Sequence, residues 1–327
     1  MSQRGGNWIY ILLQWRLNAR NERLSFLKNR SRSLAYQQGV IELAFLISQM
    51  SNGLNQSAVL LIATLGLVII FGLMKVINMA HGQMIMIGGF CAYIVTGIFS
   101  LPFCLAIVIS FIVTALFGML IEIVIIKRLY AKPTETILAT FAISIILTEI
   151  ARMVWPLAVN VKMPLPGKFT LGSVTIPFYN IFLVLIALGL LVCTIYFFAC
   201  TKTGRKIRAI TQNRQMTECL GIDTAKIDTL TFAYGAGLAG IAGCVLAPTT
   251  GVSYDMGATY LTNTFLTAVV GGAQSMVGTA VASGIIGESR TLLAGFSNDT
   301  WAMIMVSFAI IVLVRFKPEG LFYKEGR

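Results

Sequence analysis

The stretch Gly66–Gly89, GLVIIFGLMKVINMAHGQMIMIGG, is a long apolar run that breaks around Asn78-Met79-Ala80-His81-Gly82 and then resumes. The break holds the only histidine of the chain, with apolar sequence on both sides. A soluble core has little use for such an arrangement. At bilayer depth it has one, because an interrupted helix frees backbone groups and gathers polar side chains where protein or a cavity can satisfy them. Composition agrees. Apolar residues make up 57% and charged residues 12%, with a mean hydropathy of +0.81, whereas a soluble domain holds about 45–50% and about 25%. A spanning helix needs about 20 apolar residues. Runs of that kind lie at 56–76, 82–99, 103–126, 136–155, 177–200, 228–247, 257–272, 277–295 and 299–316. The expected fold is all-α, a polytopic transmembrane helix bundle with discontinuous helices.

The net charge of +12 is distributed as membrane topology requires rather than as nucleic-acid binding would. Basic residues collect at the N-terminus, around Lys127-Arg128, from Lys202 to Lys226, and from Arg315 onward, each group flanking an apolar run. That is the pattern of cytoplasmic loops. Residues 1–38 read as a basic N-terminal extension and 39–327 as a transmembrane domain with a cytoplasmic loop at 202–227. Segment 156–176 reads as the longest outer connection. Nine spans counted back from an inside C-terminus place the basic N-terminus outside, against the same rule. Either residues 39–55 add a short first helix, or a span near 257–295 is re-entrant, so eight to ten spans are expected.

Several patterns invite a chemical reading. Gly235-Ala236-Gly237-Leu238-Ala239-Gly240 matches the dinucleotide fingerprint GxGxxG, which requires a strand before it and a helix after it; here it sits inside an apolar run. Gly235, Ala239 and Gly243 recur every four residues and form a small-residue face on which membrane helices approach closely. No GxxxxGK[ST] occurs, so ATP hydrolysis is not expected of this chain. One histidine and six scattered cysteines without a CxxC pair imply neither a metal site nor a disulfide framework, and no catalytic constellation supports an enzyme. Asn78 and His81 share one helical face beside the break, where they could bond a small polar solute or hold the bent backbone. Glu122, Glu149 and Glu288 are costly within apolar runs. Arg152 and Arg290 are close in sequence to the last two, whereas Glu122 has only Lys127-Arg128 beyond it. Residues 204–220 form an imperfect amphipathic helix, with Gly221 as a left-handed cap and Asp223 as the cap of the next helix. Such a helix suits docking on a soluble partner or lying on anionic lipid.

Five segments in order, INMAHG (Ile77–Gly82), LYAKPTETILAT (Leu129–Thr140), NRQMTECLGI (Asn213–Ile222), GGAQSMVGT (Gly271–Thr279) and RFKPEGLF (Arg315–Phe322), resemble the permease subunits of the branched-chain amino acid class of ABC transporters, the urea-type branch in particular. The likeness runs from about residue 50 to the end. Two departures are the long basic N-terminus and Ala273-Gln274 in place of valine-glycine. The resemblance implies a multi-pass permease of the bacterial inner membrane carrying no cofactor of its own. It would import urea with a second, homologous permease, a soluble substrate-binding protein and two ABC ATPase subunits that hold ATP and Mg. Asn78, His81, Thr140 and Asn263 are then the expected pathway groups, and Arg214, Thr217, Glu218 and Gly221 the expected ATPase-coupling residues. The same machine carrying branched-chain or other small amino acids is the nearest alternative. An ATP-independent channel or secondary transporter is a more remote one.

Overall fold

A computed structural model describes residues 42, 44–130, 132–171, 174–272, 275–317 and 320–321. The N-terminal extension 1–38 and Ala273-Gln274 lie outside them. Backbone contacts divide the chain into two units, residues 1–48 with 170–175, and residues 49–169 with 176–327. The second unit carries the sites described below.

The chain order is α1 (Ala44–Met74), α2 (His81–Ile98, its last turn a π-turn), α3 (Phe103–Val124), α4 (Pro133–Val154), β1 (Lys168–Leu171) and β2 (Val174–Pro177). It continues with α5 (Phe178–Cys200), α6 (Lys202–Gln212), α7 (Arg214–Cys219), α8 (Thr224–Thr250), α9 (Met256–Gly271), α10 (Met276–Phe296) and α11 (Asp299–Phe316). Seven of these helices are long and apolar enough to cross a membrane: α1–α5, α8 and α11. The expected polytopic helical bundle is what the chain forms.

Two long helices make its centre. Most of α1 and α8 is buried, whereas α4 and α11 are mostly exposed and present side chains such as Leu138, Ile146, Met153, Phe308 and Ile311 outward. Lipid tails are as apolar as these side chains, so helices in a membrane associate through close packing rather than a hydrophobic drive. Small residues on α8 permit that approach. A Cβ on Gly243 would strike the Ile85 carbonyl of α2, and one on Gly240 would strike Thr114 of α3. Gly235 lies against Gly66 and Ile70 of α1, and the Ala239 amide also borders Gly66. The Tyr179 hydroxyl donates to the Val245 carbonyl at 2.6 Å, tying α5 to the same helix.

The first helix is not the expected 56–76. Residues 44–55 continue into it without a break, so they are part of that helix and not a separate short one. The short element is α9, whose 16 residues extend about 24 Å, less than the roughly 30 Å of hydrocarbon. Thr250 at the end of α8 lines one cavity with Asn52 of α1 and Asp299 of α11. Thr224 at the other end of α8 is about 39 Å away along the helix axis. The cavity therefore lies at the end of the bundle opposite α6 and α7, which makes it the outer face if the basic loop is cytoplasmic.

Candidate functional site

The break follows from local chemistry. Lys75 takes a left-handed conformation (φ 55°) and its amide caps the Phe71 carbonyl at 3.0 Å, which ends α1. Residues 75–80 then run back along the helix just finished. His81 Nε2 reaches the Ala63 carbonyl at 3.1 Å, and Ala63 lies eleven residues before the end of α1, or about 16 Å. The second helix therefore begins in the middle of the bundle. Asn78 shapes the turn, its Oδ1 accepting the Ala80 amide at 3.0 Å. Thr140 of α4 accepts the Met79 amide at 3.1 Å while its hydroxyl donates to the Thr136 carbonyl. Thr140 thus fixes the backbone of the break. Gln83 Nε2 donates to the Ser144 hydroxyl at 3.0 Å.

A second helix starts at the same place. A Cβ on Gly82 would meet the Gly257 carbonyl, and one on Gly257 would meet the Gln83 amide. The N-termini of α2 and α9 thus abut inside the bundle, where their partial positive charges point into one region. Asn78, His81 and Gln83 are buried, yet Asn78 Nδ2, His81 Nδ1, Gln83 Oε1 and Thr64 Oγ1 have no hydrogen-bond partner among the described residues. The Ala63 carbonyl can only accept, so Nε2 carries the proton and the neutral ring leaves Nδ1 as an unused acceptor. Leaving such groups unpaired costs about 1–3 kcal/mol each.

Asn263 stands apart from Asn78, His81 and Thr140. It lines the outer cavity, about 460 Å³, with Asn55, Tyr260, Arg290 and Asp299. Of these, Asn263 is an expected pathway group and Arg290 an expected neighbour of Glu288; Asn55, Tyr260 and Asp299, like Gln83 two positions after His81, carry no such signal in the sequence.

The residues expected to couple to ATPases form a different kind of cluster. The expected single helix 204–220 is two helices, because Asn213 is extended and caps α7 by accepting the Met216 amide. Arg214 donates to Asp228 at 2.7 Å, Glu218 at 3.3 Å and Thr224 at 3.3 Å, and its guanidinium sits over the Tyr130 ring. Glu122 is not left to distant lysine and arginine. It accepts from Tyr130 at 2.9 Å and from Thr229 at 2.5 Å. Burial alone would lower the Arg214 pKa, but Asp228 and Glu218 outweigh it and hold it above its ordinary value. Burial, reinforced by Asp228 and Glu122, pushes the Tyr130 phenol up, so it stays a neutral donor. Thr217 is buried and bonds back to the Asn213 carbonyl at 2.7 Å. Gly221 adopts the left-handed cap (φ 75°) with open space around it, and Asp223 caps α8 through the Lys226 amide. Met216 and Leu220 are exposed beside this cluster.

Two further acidic residues differ in outcome. Glu149 does pair with Arg152, at 3.6 Å. Arg290 instead makes a two-pronged contact with Asp299, at 2.9 and 3.2 Å, while Glu288 lies over Gly53. Among the described residues no group of three or more His, Cys, Asp or Glu side chains could hold a metal ion.

Residues 49–315 match the family described as branched-chain amino acid transport system / permease component. The high-affinity branched-chain amino acid transport system permease protein BraD of Pseudomonas aeruginosa is 28% identical over 86% of this chain and 96% of its own length. LivH of Escherichia coli, with the same description, is 26% identical over 85% and 95%. The ribose import permease protein RbsC of Haemophilus influenzae is 30% identical over 35% of this chain and 37% of its own. No solved structure matches.

Proposed function

The chain belongs to the branched-chain amino acid permease family of ABC transporters, a multi-pass inner-membrane protein, and from that premise we propose that it imports branched-chain or other small amino acids. The printed names of its near-full-length relatives support that substrate class; urea, expected from the INMAHG and ETILAT segments, has no comparable support. The pathway follows the seam where α2 and α9 begin. The observation that carries this is the set of buried, unpartnered polar atoms on Thr64, Asn78, His81 and Gln83. A resting structure bears such groups at a cost, and a polar solute or water passing the seam would satisfy them. Thr140 holds the break in shape, and Asn263 belongs to the outer approach.

The partners follow from the same premise: a second permease against the exposed apolar helices, a substrate-binding protein outside, and two ATPase subunits that contain the ATP and Mg. The ATPases would seat on α7, where Met216 and Leu220 are exposed. Arg214 and Glu218 tie α7 to α8 through Asp228 and Thr224, and α8 packs on α1, α2 and α3. Displacement of α7 thus reaches the helices that line the seam. Nucleotide must bind the outward- and inward-facing states unequally for this to shift their populations. Uptake of labelled leucine and labelled urea by cells expressing the full assembly tests the reading. Leucine uptake that stops when the ATPases are inactivated is expected; preferential urea uptake, or full-rate leucine uptake without the ATPases, would overturn it.

A further inference from the structure

The outer cavity is amphipathic in a way that sorts solutes. Its polar part, about 460 Å³, carries Asn55, Asn263 and Arg290. Asn263 and Arg290 also border a second recess of about 20 Å³ whose other walls include Leu60, Leu266, Ile286 and Val306. That recess admits a methyl-sized group. Three complementary features meet here: a guanidinium, an apolar slot, and the side-chain amide of Asn55, whose shielded Oδ1 has no partner among the described residues.

Arg290 is the key. Its side chain is 20% exposed, while that of Asp299, which occupies its fork, is 71% exposed. A largely solvated carboxylate contributes little to such a pair. An incoming carboxylate can take the same two N–H bonds and release Asp299 to water, where it is already mostly solvated. A neutral amide such as urea cannot make that exchange, because it would leave the guanidinium without an anion.

We infer that this cavity is a binding site for the zwitterionic end of an aliphatic α-amino acid on its way to the seam. The carboxylate sits on Arg290, the Asn55 side-chain amide turns its buried Oδ1 into the cavity it lines to meet the ammonium, and the side chain points toward the Leu60–Ile286 recess. Asp299 holds no part of the solute; it occupies Arg290 when the cavity is empty. This rests on the amino-acid import reading above and assigns it residues.

The experiment uses the complete transporter in proteoliposomes with saturating leucine-loaded binding protein, following [³H]leucine uptake and ATP hydrolysis together. Arg290→Gln is expected to lose uptake about tenfold while hydrolysis falls less than about threefold, Arg290→Lys to recover part of it, and Asp299→Asn to stay within about twofold of the parent. Asn55→Ala, a change on the cavity wall that asks little of folding, is expected to lose about threefold and decides the matter if Arg290→Gln does not assemble. If the parent imports leucine but Arg290→Gln and Asn55→Ala match it, the site is wrong and the import reading stands. Equal losses in Arg290→Gln and Asp299→Asn would make the pair a brace between α10 and α11 and also overturn the site. A parent assembly that moves urea and not leucine would overturn both.

Discussion

The seam and the ion-paired cluster around α7 are both polar islands in an apolar bundle, yet they are built on opposite principles. Around α7, carboxylates, guanidinium and hydroxyls satisfy one another: Glu122 has two hydroxyl donors and Asp228 has Arg214. At the seam Thr64, Asn78, His81 and Gln83 are neutral, and a polar atom on each has no partner among the described residues. A paired ionic cluster is stiff, because moving one member strands another. Neutral groups with spare hydrogen-bonding capacity gain from a change of occupant. On the proposed reading, one end would transmit force and the middle would yield.

The largest expected effect breaks the stiff end. Arg214→Leu leaves Asp228, 6% exposed, without its cation. Stranding a fully buried charge costs about 3–5 kcal/mol; since Arg214 is nearly half exposed, about 2 kcal/mol is the expectation here. Thermal unfolding of the detergent-purified assembly should show a clear loss, and an unchanged midpoint would mean the cluster is not stiff. Thr140→Val comes next. It keeps the shape but orphans the Met79 amide, at about 1–2 kcal/mol, and Thr140→Ser should restore it. If both variants match the parent, the break is held by something other than that hydroxyl.

How much of this contrast the sequence discloses depends on how local each part is. Seven of the nine apolar runs are candidate spans, and the break follows from Asn78–Gly82 between two of them. The true start of α1 is hidden because Gln49, Asn52, Asn55 and Gln56 depress hydropathy; Asn52, Asn55 and Gln56 line a cavity, so their helix continues at no cost. The kink at Asn213 is unreadable because asparagine caps a helix as readily as it sits in one. Pairing Glu288 with Arg290 conflicts with helix geometry, since residues two apart face different ways. Glu122 and Thr229 are 107 residues apart, and the orphaned atoms exist only once α1, α2, α4 and α9 are assembled. Chemistry within one turn is legible; satisfaction across helices is not.

A finer probe of the stiff end is Gly221→Ala. No atom lies near enough to clash, so the cost is confined to the positive φ, about 1 kcal/mol. Leucine-stimulated ATP hydrolysis and uptake should diverge in this variant, because α7 keeps its ion pairs but leaves its helix end at a different angle. Uptake that tracks hydrolysis as in the parent would show that the cap angle does not matter for coupling.

The smallest expected stability change is the most decisive for the seam. His81→Leu removes one hydrogen bond, that of Nε2 to the Ala63 carbonyl, worth about 1 kcal/mol. The carbonyl keeps its own helical partner. The same change removes the unpaired Nδ1 and its desolvation cost, also on the order of 1 kcal/mol or more, and fills the space with a side chain of similar size. The two contributions offset, so the unfolding midpoint should stay close to the parent's or rise slightly. Uptake should nevertheless fall about tenfold or more, since a barrier higher by about 1.4 kcal/mol is enough for that and the yielding acceptor is gone. Arg214→Leu loses function by loosening the protein, whereas His81→Leu loses it without loosening anything. Should His81→Leu instead unfold several degrees lower, Nδ1 must have had a partner all along, and the seam would be one more braced joint like the cluster at α7.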